Sequence, residues 1–86
     1  MPEISRFLGI VIYMYFNEHN PPHFHAEYNE HKASIAIDTF GLMEGKLPSK
    51  VMSLVVEWAQ EHQDELLKNW YSIKETGEFH KIEPLV

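Results

Sequence analysis

The apolar residues of this 86-residue chain change their spacing once, near residue 47. Before that point they run in β-branched, aromatic or alternating stretches; after it they recur at three- and four-residue steps. A period of two suits a strand, and a period near 3.6 suits a helix with one apolar stripe. Strand-like sequence followed by helix-like sequence implies an α+β fold. The expected architecture is an antiparallel meander sheet of three to five strands, packed on one long or two short C-terminal helices. No repeat or Gly/Ser linker divides residues 1–86, so a single domain is expected.

Strands are expected over about residues 3–46. A short first strand at Glu3–Phe7 precedes Leu8–Phe16, which reads LGIVIYMYF. There Leu8, Ile10, Ile12, Met14 and Phe16 would share one face, and Val11, Tyr13 and Tyr15 the other. Both faces are apolar, which predicts a central strand with its second face closed by a partner. Gly9 marks a turn or bulge. Asn17–Pro22 is a turn, because two consecutive prolines donate no ladder hydrogen bonds. His23–Tyr28 alternates, Asn29-Glu30 is a hairpin turn, Lys32–Asp38 alternates again, and Phe40–Leu47 holds a last short strand. Pro48 opens a helical region over about 48–76, since proline suits a helix start. Val51, Leu54, Val55, Trp58, His62, Leu66, Asn69, Trp70 and Ile73 mark its buried stripe, with Trp58 and Trp70 as anchors on the sheet. The polar run Gln60–Glu65 is the place for a break, Gly77 is the stop, and residues 77–86 form a short tail, either an added strand or a loose end.

Composition excludes several functions. The chain has no cysteine, so disulfides, thiolate zinc sites, iron–sulfur clusters and a cysteine nucleophile are ruled out. Its net charge of −6, with histidines neutral, argues against binding to nucleic-acid backbones. No apolar stretch approaches the ~20 residues of a membrane span. The opening MPEISRF lacks the basic and apolar regions of a secretory signal, so a cytoplasmic location is expected. There is no phosphate-binding glycine loop and no serine nucleophile elbow.

The chemistry concentrates in the histidines. Four of the six, His19, His23, His25 and His31, fall within thirteen residues. His23-x-His25-x-Glu27 on a strand would set two imidazoles and a carboxylate in one row. Imidazole and carboxylate suit Zn²⁺, Mn²⁺, Fe²⁺ or Ni²⁺. The candidate metal ligands are therefore His23, His25 and Glu27, with His19 or His62 completing the set. The plainer alternatives are that His23 and His25 face solvent or pair with Tyr13, Tyr15 or Glu27 across the sheet, that His19 caps the turn, and that His62 is a half-buried side chain in the helix stripe. A third reading makes a histidine the general acid or base of a metal-free ribonuclease, with Arg6, Lys32 or Lys46 stabilising a phosphate.

The run from Ile4 to Tyr28, with its Asn-Glu-His-x-Pro-Pro-His-Phe-His-Ala element, is followed by Glu44–Pro48 (EGKLP) and by Glu57–Trp70 (EWAxxHxxELxxNW). Together they resemble the bacterial domain of unknown function 4160, and the likeness extends to KIEPL at Lys81–Leu85. The motif positions are His19, Pro21, Pro22, His23, His25, Trp58, His62, Glu65, Asn69 and Trp70, whereas His31 and His80 lie outside it. The resemblance carries over no activity. It implies a small protein often encoded beside a second short gene, as in a toxin–antitoxin-like pair. The leading expectation is a cytosolic interaction or regulatory module whose partner is itself or the product of a neighbouring gene. The alternative is a metal-binding or hydrolytic protein.

Overall fold

The computed structural model describes residues 2–86. Five antiparallel strands lie in sequence order: β1 (Glu3–Phe7), β2 (Ile10–Tyr13), β3 (His23–Tyr28), β4 (His31–Ala36) and β5 (Leu42–Gly45). Two helices follow, α1 (Ser49–Glu61) and α2 (Gln63–Thr76). The architecture is thus α+β, with the meander at its upper expected count and the helical region divided.

The expected nine-residue strand Leu8–Phe16 is a four-residue strand with both ends turned away. Leu8 and Gly9 both take positive φ, 51° and 79°, and make a two-residue connection between Phe7 and Ile10. Such paired left-handed residues match the twist of the strands they join. Leu8 is therefore 55% exposed rather than aligned with Ile10 and Ile12. Beyond Tyr13 the chain leaves the sheet for the proline turn, and Phe16 is exposed as well. β4 also starts and ends earlier than its alternation suggested. Ile37 remains buried beyond its end, where its N–H donates to the Pro22 carbonyl at 3.0 Å.

The register explains what each face carries. Ile12 pairs with Ala26, Ala26 with Ala33, and Phe24 with Ile35. These residues and Ile10 join Val51, Val55 and Trp58 of α1 and Leu66, Trp70 and Ile73 of α2 in one core. Trp58 is its centre, with ring centroids 5.5 Å from Phe7 and 6.0 Å from Phe24. On the other face Tyr13 stands beside His25, and His25 beside Ser34. That second face carries His23 and His25.

The helical region divides at His62. Its backbone (φ −124°, ψ 25°) leaves the helical range, its N–H reaches back to the Ala59 carbonyl, and its own carbonyl starts α2 by accepting from Leu66 at 2.9 Å. Asp64 and Glu65 in the first turn of α2 and Lys74 in its last turn complement the helix dipole. The tail is neither a strand nor loose. Buried Asn69 donates from Nδ2 to the His80 carbonyl at 2.9 Å and accepts from the His80 N–H at 3.0 Å. Trp58 Nε1 donates to the Glu83 carbonyl, and the N–H of buried Ile82 donates to the Ile4 carbonyl on β1. Among the described residues, no helix is long and apolar enough to cross a membrane.

Candidate metal centre

His23 and His25 open β3 and project to one face, two residues apart. The connection from β2 must reverse direction to bring β3 alongside, and its nine residues, 14–22, fold back over the start of that strand. This places the Glu18 side chain against both rings. One ligand atom each from Glu18, His23 and His25 lies within 4.8 Å of the others. Glu18 Oε1 contacts His25 Nε2, and Glu18 Oε2 is 3.3 Å from His23 Nε2. His23 is buried, whereas Glu18 and His25 are half-buried.

Both rings are held from their far sides. His23 Nδ1 donates to the Pro21 carbonyl at 2.8 Å, and His25 Nδ1 is 3.1 Å from Ser34 Oγ. The His25 ring stacks on Tyr13 at 5.2 Å and meets the Tyr15 ring edge-on at 4.8 Å. The His23 ring tilts against Trp70 of α2, 5.1 Å away. These contacts determine what the Nε2 atoms can do. With its Nδ1 proton committed to Pro21, a neutral His23 presents an Nε2 lone pair. That lone pair faces a carboxylate oxygen, and two acceptors need a cation between them. A second ring proton or a metal ion meets the need. Hydrogen bonding of the outward nitrogen is the usual way a ligating histidine is oriented.

The electrostatics favour an ionised Glu18. Burial acts to raise its pKa, but the hydrogen bond and charge of His25, together with those of His23, outweigh it and hold the carboxyl below the ordinary 4.5. Beside the cluster, burial and a hydrogen bond with Tyr15 push the Tyr13 phenol up to about 12. Tyr13, Tyr15, His25, Lys32, Ser34 and Glu44 line an open cleft of about 230 Å³, so His25 belongs to both the cluster and the cleft wall.

The structure brings together two of the five candidate ligands, His23 and His25, and adds Glu18. Glu27 shares their strand face, but four residues of strand span about 13 Å, too far for one ion to bridge from His23. Glu27 lies opposite Lys32, with its carboxylate 3.7 Å from the ammonium. His19 is exposed. His62 sits at the helix break with its Nδ1 2.6 Å from Glu65 and its ring near Trp58. The period-two rule finds the two imidazoles but not Glu18, which comes from the turn. The available signal is a carboxylate five residues before His23 in a connection that has to double back.

No curated protein and no solved structure matches the chain. A family model does match residues 9–71, a span that includes Glu18, His23, His25 and Trp70, and the chain belongs to that family, Domain of unknown function (DUF4160).

Proposed function

We propose that this protein binds a divalent transition-metal ion through Glu18, His23 and His25. The observation that carries the reading is the approach of one carboxylate and two imidazole ligand atoms to within 4.8 Å of one another. The donor set fits the ion: two nitrogens and one oxygen, with no thiolate, suit Zn²⁺, Fe²⁺, Mn²⁺ or Ni²⁺. Three protein ligands leave coordination positions open, and an ion so held supplies a Lewis acid for hydrolytic chemistry. The chain's own residues prepare the site: Pro21 and Ser34 orient the imidazoles, and Tyr13 and Trp70 fix their planes. The cleft beside His25 is the natural place for a substrate.

The test is elemental analysis of protein purified without a histidine tag, with thermal shifts in Zn²⁺, Mn²⁺ and Ni²⁺. About one equivalent of metal, lost in His23→Ala and His25→Ala, is expected. No stoichiometric metal and no shift would refute the proposal.

A second reading, a cytoplasmic interaction module working with itself or with a neighbouring gene's product, draws support from β5. This edge strand is exposed throughout, with Leu42 and Met43 at 50% and 44%. An open edge with apolar side chains is a template for pairing with another chain. Light scattering, together with co-expression of the neighbouring gene, tests it. A monomer at high concentration with no partner recovered would remove this reading.

A further inference from the structure

Two of the three ligands stand on β3, within a paired sheet, but Glu18 lies in the loop between β2 and β3, flanked by exposed Asn17, His19, Asn20 and Pro21. A ligand on such a loop is only as well placed as the contacts that hold the loop. Lys74, in the last turn of α2, donates from Nζ to the Glu18 carbonyl at 2.7 Å, across 56 residues of sequence. Among the described residues, no other hydrogen bond ties the backbone of residues 15–20 to a helix or strand. The same ammonium lies 4.9 Å from the centroid of the Trp70 ring, the ring that tilts against His23. Phe16 reaches the same end of α2, beside Gly77. One cation thus ties the backbone of the loop ligand to the helix that supports a strand ligand.

We infer that Lys74 is a positioning residue of the metal centre, holding the loop in the form that carries the Glu18 carboxylate to His23 and His25. The inference rests on the metal reading proposed above. Lys74 is exposed and contributes no core packing, so its removal leaves the sheet and helices standing. Metal affinity takes the loss instead. Partners that orient metal ligands are worth roughly 10–100-fold in affinity.

The experiment measures Zn²⁺ affinity by competition with a chromophoric chelator, and records the Co²⁺ absorption spectrum, for wild type, Lys74→Met, Lys74→Arg and the control Lys50→Met on α1. Lys74→Met is expected to weaken Zn²⁺ about 10-fold or more and to alter the Co²⁺ bands as the carboxylate is released. Circular dichroism should stay unchanged. Lys74→Arg, which can still donate to the carbonyl and lie over Trp70, should recover most of the affinity and the spectrum. Lys50→Met should match wild type, excluding a general charge effect. Wild-type binding with Lys74→Met unchanged overturns this inference alone. A failure of arginine to rescue, or an equal loss in Lys50→Met, overturns it too. Absence of binding in wild type overturns the metal reading and this inference with it.

Discussion

Asn69 offers the sharpest test of how the C-terminal tail is held. Its side chain is fully buried in α2, and both halves of the amide are used on one residue, His80. Replacement by leucine keeps the branching at Cγ, adds some bulk, and removes both bonds. Each is worth about 1 kcal/mol net. His80 is exposed, so water can re-satisfy part of its backbone and limit the penalty for unpaired groups. The tail also carries buried Ile82 and the Glu83 carbonyl that accepts from Trp58. Weakening its docking therefore adds to the loss, and the total is about 2–3 kcal/mol. For a chain of this size that corresponds to a fall in Tm of about 10–20 °C. Urea unfolding followed by tryptophan fluorescence measures the free energy, and limited proteolysis after Gly77 reports the tail directly. Trp58→Phe removes the side-chain bond to the Glu83 carbonyl while keeping an aromatic ring. If both residues secure the same segment, the double variant loses less than the sum of the two singles. A change below about 0.5 kcal/mol in Asn69→Leu, with the tail still protected from protease, would refute the argument.

Three further outcomes follow from the geometry. Gly45 has φ +80°, and a Cβ there would lie 2.1 Å from the Lys32 carbonyl oxygen. Gly45→Ala should therefore separate β5 from β4 and cost about 2 kcal/mol or more; an unchanged Tm would contradict the close approach. Tyrosinate absorbance should show one step delayed to about 12 and lost in Tyr13→Phe, with burial the main cause. Because the raised pKa favours the neutral phenol in the folded state, its contribution to stability declines as pH rises from about 10 toward about 12. Absence of a late step in the folded protein would contradict this. Glu18 has the opposite sign: its folded pKa lies below 4.5, so its contribution is present above that value and is lost as pH falls through the lowered one. Glu18→Gln should flatten the acid limb of stability against pH, and an identical acid limb would count against the pairing.

The order of strands and helices is legible because burial imposes a period, and both periods are plain in the apolar residues. The division at His62 is legible too, since Gln60–Glu65 interrupts the stripe with polar side chains. The extent of β2 is not, because Leu8 looks like a strand residue by side chain, and only its left-handed backbone turns it outward. The same distinction runs through the site. His23 and His25 follow from alternation along a single strand, a local rule. Glu18 depends on the path of a connection, and Lys74 on how α2 docks beside that connection, 56 residues away. No spacing rule along the chain encodes either. Asn69 shows a related limit: its place in the helix stripe marks it as buried, but nothing local says that it grips a segment eleven residues further on.

The meander has a kinetic consequence. Every strand pairs with its neighbour in sequence, so the sheet assembles through short loop closures alone. Chains dominated by local pairings fold fast, because little chain entropy is lost before contacts reward it. The long-range closures are made by the helices and tail: Lys74 to Glu18, Gln63 to Ile37, Ile82 to Ile4. The two imidazoles can therefore come together as soon as the β3–β4 hairpin forms, whereas Lys74 reaches the Glu18 carbonyl only once α2 has docked. A refolding chain would therefore set His23 and His25 in place before the contact that ties the Glu18 loop to the last helix.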